Sequence, residues 1–164
     1  MSDEKREPPN ASSAKRAFAD YRWDRVPLHP YKDDGRELFR DVTRQVLFSR
    51  PDLAGELRYF EVGPSGHSTL ERHEHVHGVL ILRGRGEALV GAEVVALDTN
   101  DLVTVPPMTW HQFRASADCP LGFLCMVDAQ RDKPQLPTAE DLARIAADPA
   151  VAEFLSGEPS GSSL

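Results

Sequence analysis

Cysteine is scarce in this chain, with only Cys119 and Cys125 present. On an extended strand the six-residue separation is about 20 Å, too far for a disulfide unless the chain reverses. Two reduced thiols are therefore expected. Long apolar runs are also missing. No stretch approaches the length of a membrane span, and the opening MSDEKREPPN lacks the apolar core of a signal peptide. A soluble, cytoplasmic protein of a reducing compartment follows, with no membrane partner. Basic charge is in short supply as well: 19 Lys and Arg stand against 26 Asp and Glu, for a net charge of −7. The basic residues are scattered, and no helix-turn-helix signature accompanies them. That pattern excludes nucleic acid as the main partner, which would demand a concentrated basic face.

What the chain does contain is punctuation. Thirteen prolines and eleven glycines fall mainly between short apolar runs of a 164-residue sequence, enough for one domain with a proper core. Strands are expected over Val42–Phe48, Leu57–Val62, Val79–Leu82, Glu87–Val90, Val94–Leu97, Leu102–Val105, His111–Ala115 and Leu121–Val127. Gly63-Pro64-Ser65-Gly66 reads as the turn that ends the second of these. The fold class is all-β, a sandwich or barrel over 21–130. Residues 1–20 and 158–164 read as disordered tails. Tyr21–Tyr31 reads as an extended aromatic segment packed on the domain. Two short helices follow over 131–157, Thr138–Ala147 with an acidic first turn and Ala150–Leu155 after Asp148-Pro149.

Chemistry concentrates between Gly66 and Gly84, GHSTLERHEHVHGVLILRG, which holds four of the six histidines. Glu71, His73, His75 and His77 occupy every second position and would share one face of a straight strand. Imidazole and carboxylate are the ligands of borderline divalent metals. Positions 71 and 77 lie about 20 Å apart on a straight strand, so their side chains cannot meet at one ion there. A bend at residues 74–76 solves the geometry. It leaves Glu71 and His73 on one segment, starts the next strand at His77, and lets His111 join from a distant strand.

These residues carry a resemblance. Glu71-x-His73, three residues, His77, six residues and Gly84 is similar to the first motif of the cupin superfamily, and Asp101, Pro106 and His111 to the second. The resemblance covers roughly 57–127. Glu71 stands where the family's first histidine is usual, and His77 where its glutamate is usual. Asn100 and Met108 replace two usual glycines. The resemblance implies a single cupin barrel holding one divalent transition metal (Fe, Mn, Ni, Zn or Cu) on Glu71, His73, His77 and His111. His75 either completes a three-histidine set in place of Glu71, or orients a ligand and handles a proton as a catalytic base. A metal-dependent dioxygenase acting on a small molecule is implied first. A non-redox lyase or isomerase and a non-catalytic sensor of metal or small ligand are the alternatives. A homodimer built through edge strands is expected by the same resemblance. His77 facing inward would bring Val79, Ile81 and Arg83 with it, and His111 would bring Phe113; Phe123 and Cys125 add to the wall.

Overall fold

A computed structural model of the chain describes residues 15–31 and 38–157. The expected tails at 1–14 and 158–164 lie outside the described residues. Within the stretch read as tail, Phe18–Ala19 (β1) pairs with Arg22–Trp23 (β2), and Asp20 and Tyr21 make the turn with φ of 49° and 55°. Two positive φ values are what a tight hairpin needs for its twist to match its strands. The hairpin rings pack: Phe18 lies edge-on to Tyr21, with centroids 5.5 Å apart.

Nine further strands form one curled antiparallel sheet, half of a barrel wall. They are His29–Pro30 (β3), Arg40–Phe48 (β4), Gly55–His67 (β5), His77–Gly84 (β6), Gly86–Val90 (β7), Glu93–Leu97 (β8), Leu102–Val105 (β9), His111–Ala115 (β10) and Leu121–Asp128 (β11). The order across the sheet is β8-β7-β10-β5-β11-β6-β9, with β4 on the other edge of β5 and β3 beyond it. Alternation along the strands sends Val42, Phe60, Val62, Val79, Ile81, Phe113, Phe123 and Cys125 into one buried core.

The expected turn at Gly63–Gly66 is corrected by the structure. β5 runs through it to His67, because β4 pairs along one edge of β5 and β10 takes its far end at His67. Local turn chemistry survives only as a kink, with Ser65 at φ 60°. Arg83 is a second correction. The β6–β11 register slips between Gly122 and Phe123, so Ile81 faces Phe123 while Arg83 faces Gly122. That bulge turns Arg83 to the outer face, where its Nη1 bonds both carboxylate oxygens of Glu61 at 2.9 and 3.0 Å.

The outer face is covered by the N-terminal segment. Tyr21 and Trp23 pack on Tyr59, and the Arg83 guanidinium lies 4.5 Å from the Tyr21 ring centre. Gly122 is required there, since a Cβ would sit 2.0 Å from the Tyr59 hydroxyl. Gly84, at φ 69°, likewise closes β6 with no room for a Cβ against the Pro120 carbonyl. The C-terminal helices are Ala139–Ile145 (α1), capped by Thr138 in a reciprocal box with Asp141, and Pro149–Ser156 (α2), capped by Asp148. Val151 and Phe154 of α2 make a second core with Leu70 and Leu89 against which Trp110 packs. Trp110 is therefore a packing residue, held also by Arg72 4.5 Å above its ring. Both cysteines are free thiols.

Candidate metal centre

The bend falls where the histidine spacing requires it: residues 74 and 75 break the extended chain and β6 begins at His77. A two-bond bridge sets Glu71 beside His111, Glu71 N donating to His111 O at 3.2 Å and His111 N to Glu71 O at 3.0 Å. The Met108 N–H donates to His73 O at 2.7 Å and ties the proline turn to the same segment. His77 pairs with Val105 at the end of β9.

Three imidazoles converge as a result. His73, His77 and His111 each present a ring nitrogen, all within 4.8 Å of one another. Their ring centres are 4.5 Å (73 to 77), 4.8 Å (73 to 111) and 5.6 Å (77 to 111) apart. Hydrogen bonds settle which nitrogens are bare. His73 Nδ1 lies 2.8 Å from the His75 carbonyl, and His111 Nδ1 lies 2.9 Å from the Thr109 carbonyl. A carbonyl only accepts, so each Nδ1 carries the proton and each Nε2 is left with a lone pair. His77 Nδ1 contacts Cys125 Sγ at 3.3 Å. The Nε2 atoms of His73 and His77 are buried and have no hydrogen-bond partner.

Electrostatics keep this cluster neutral. Burial, reinforced by the neighbouring imidazoles, holds His77 far below the ordinary histidine range. His111 is pushed down to about 4, again by burial first. Burial likewise lowers His73, with His75 adding to it. Three close imidazoles cannot all be cationic in a dry site, and neutral imidazole is the form that binds metal. Two buried Nε2 atoms with no partner, close together and next to His111, fit a cation, since leaving buried polar atoms unmet costs free energy without return. A divalent transition metal suits this donor set.

Glu71 sits in the wall of the same cavity but not among the groups whose ligand atoms lie within 4.8 Å of one another. Its Oε1 accepts from the Tyr31 hydroxyl at 3.4 Å. His75 does not line the cavity. Its ring stacks on His73 with centres 3.7 Å apart and planes 6° off parallel, and its Nδ1 bonds Asp132 Oδ1 at 2.6 Å. The other Asp132 oxygen accepts from the Glu74 N–H at 2.8 Å, the first cause of a carboxyl held well below its usual range. His73, His75 and Asp132 form a second group able to hold a metal, and it adjoins the first, since the His75 ring centre also lies 5.0 Å from that of His77. His67 stays outside both groups, with Nδ1 on the Ser68 carbonyl at 3.0 Å.

The pocket beside the first group is about half open to solvent and spans roughly 390 Å³, its mouth included. Val42, Phe60, Phe113 and Phe123 make its apolar wall, while Tyr31, Ser68, Thr69 and Glu71 bring hydroxyls and a carboxylate. Burial, then the Glu71 charge, raises the Tyr31 phenol well above its usual range, so it keeps its proton. Asp132 and Tyr31 were not singled out as site residues from the sequence. They reach the site across separations of 57 and 40 residues, where no local pattern points to them.

Comparison with known proteins now decides the family. Residues 58–127 match the model of the cupin domain. A curated relative from Rhodospirillum rubrum, 1-methylthio-D-xylulose 5-phosphate methylsulfurylase, is 66% identical over 137 residues, covering 84% of this chain and 88% of its own. The chain belongs to the cupin family. Solved cupins agree with the architecture. A cupin-2 domain from Rhodospirillum rubrum is 63% identical, with a TM-score of 0.80, over 87% of this chain and 96% of that one. A cupin 2 conserved barrel domain protein from Rhodopseudomonas palustris is 55% identical, with a TM-score of 0.82, over 86% and 98% of the two chains. Among the described residues no helix of this cupin is long and apolar enough to cross a membrane.

Proposed function

We propose that this cupin is a metal-dependent enzyme that transfers the methylsulfur group of a 1-methylthio-D-xylulose 5-phosphate-like substrate. The observation that carries the metal is the pair of orphaned, buried Nε2 atoms on His73 and His77 facing His111. The relative named for that substrate, at 66% identity, supports the substrate class. His73, His77 and His111 would hold the cation, with Glu71 the adjoining carboxylate. A bound divalent metal supplies Lewis acidity to a carbonyl oxygen.

The chain's own residues account for the rest. Breaking the bond from C1 to sulfur beside a C2 carbonyl leaves the electron pair on C1, spread onto the carbonyl oxygen. The methylsulfur group passes to the thiolate of an external thiol, forming a disulfide as the C1–S bond breaks, and C1 must take a proton. Tyr31 holds a proton at Oη inside the cavity, bonded to Glu71, and is the donor in place. The apolar wall of Phe60, Phe113 and Phe123 keeps water off that side of the pocket, where it would quench the carbanion early. His75, stacked on His73 and beside His77 and fixed by Asp132, positions these ligands rather than touching substrate.

Oxygenase chemistry is the second reading, favoured by the spacing of the histidines and by the open cavity next to them. Incubating metal-loaded protein with the methylthio sugar phosphate and a small thiol as acceptor under anaerobic and aerobic conditions separates the two. Methylsulfur transfer without oxygen supports the first reading; turnover that consumes oxygen in step with substrate supports the second. Tight stoichiometric metal with neither would return the protein to the sensor class. The expected homodimer belongs to the same proposal, supported by the exposed Leu102 on the open edge strand β9. Sedimentation at two concentrations tests it.

A further inference from the structure

Three guanidiniums gather at the end of the half-barrel where β5 begins and β11 ends. Arg58 stands directly opposite Cys125, and Arg44 directly opposite Phe60. Residues paired across strands share a face, and Cys125 and Phe60 both line the cavity. Arg131 follows β11, its Nη1 donating to the Asp128 carbonyl at 2.7 Å. The carboxylate that engages this group is Glu56. It accepts from Arg58 Nε and lies 3.5 Å from Arg131 Nη1. Among the described residues, these three cations against one paired carboxylate leave a local charge of +2 in a chain whose net charge is −7.

The arrangement is costly as it stands. The Arg58 side chain is only 12% exposed and that of Arg131 25%. Arg44 Nε is buried with no hydrogen-bond partner. Burial, and next the Arg58 charge, pulls Arg44 below its ordinary range, and the same two causes act on Arg131. Packing alone would not select three mutually repelling guanidiniums around one carboxylate. A planar guanidinium with an unmet donor is, however, the usual partner of a phosphate oxygen. Position agrees. His77 opens β6, which is separated from β5 by β11 alone, so Arg58 lies about two strand spacings, ~10 Å, and Arg44, one strand further out on β4, about three, ~14 Å, from the imidazole cluster.

We propose that Arg44, Arg58 and Arg131 form a phosphate subsite on the inner face of the half-barrel, which fixes the phosphorylated end of a substrate while its other end reaches the imidazoles. The naming of that substrate as a methylthio pentulose phosphate rests on the function proposed above; the anion site does not. Glu56 orients Arg58 and Arg131, leaving Arg44 the free donor.

The test is calorimetric titration of inorganic phosphate into metal-loaded wild-type protein and into Arg44→Met, Arg44→Lys and His111→Ala. Saturable one-to-one binding is expected, weakened about tenfold or more by Arg44→Met, less by Arg44→Lys, and unchanged by His111→Ala. Metal content of Arg44→Met should equal that of wild type, which shows the fold intact. No saturable binding, equal binding by Arg44→Met, or loss of binding in His111→Ala would each overturn the subsite, the last by placing the anion on the metal. Kinetics with the methylthio sugar phosphate then keep the two ideas apart. Arginine-dependent phosphate binding without turnover leaves the subsite standing and removes the proposed substrate. Turnover with the same KM in Arg44→Met removes the subsite and leaves the substrate.

Discussion

His73 belongs to two groups of donors that the same bend creates, and they differ in what is left unmet. On the cavity side, His73, His77 and His111 have each Nδ1 engaged, while the buried Nε2 of His73 and of His77 has no hydrogen-bond partner. In the second group, His75 and Asp132 satisfy each other, and Asp132 also caps two backbone N–H groups. Both groups pass a test of distance. Only the first passes a test of satisfaction, because a ligand must offer a lone pair with nothing else to do. Proximity finds metal sites; unmet valence ranks them.

His111→Ala cuts deepest into that ranking. Removing one of three converging imidazoles should lower metal content from about one per chain to near none, read by elemental analysis after dialysis. The group of His73, His75 and Asp132 keeps all its donors in this variant. Undiminished metal would therefore place the ion on His75 and Asp132 and reverse the comparison.

Asp132→Asn is the complementary cut. If Asp132 acts by holding His75 against His73, metal affinity should fall about 10- to 100-fold, the usual effect of removing a residue that orients a ligand. Stoichiometry at saturating metal should stay at one. A loss as complete as that of His111→Ala would make Asp132 a ligand itself.

The cavity-side group was largely legible in the sequence, since His-x-x-x-His spacing forces a bend and the second motif supplies His111. Asp132, the partner of His75, was not, as it arrives from a loop that no periodicity marks. The same holds for the edges of the fold. Gly63-Pro64-Ser65-Gly66 carries a strong turn signal, yet pairing on both edges of β5 overrides it. Arg83 follows the parity rule in sequence and breaks it in space, because one bulge at Leu82 reverses its face. Strand identity was readable from local pattern. Strand pairing, and with it Tyr31, Asp132 and the three arginines, depends on contacts far apart in the chain.

Tyr31→Phe sharpens a different edge of the comparison, between holding metal and doing chemistry. The variant keeps the ring and its packing against Phe39 and Phe60 but loses the proton at Oη. Metal content should be unchanged, while kcat on the methylthio sugar phosphate should drop about 10²-fold or more with KM nearly constant, the usual contribution of a positioned proton donor. A matching fall in metal content would show that Tyr31 acts through Glu71 on the ligand set instead.

The smallest effect is expected at Cys125, whose Sγ touches His77 Nδ1 from the cavity wall. Burial pushes this thiol up to about 12, so at pH 8 very little of it is thiolate, the form that reacts. Cys119 is partly exposed and should label with iodoacetamide, whereas Cys125 should stay unlabelled in the folded protein and react only after denaturation. Cys125→Ser keeps a hydrogen-bonding atom near His77 Nδ1, so metal affinity should change by less than about tenfold. Rapid labelling of Cys125 in metal-loaded protein, with loss of metal, would mean that the thiol itself is a ligand and that the cavity-side group has a sulfur donor in addition to its three imidazoles.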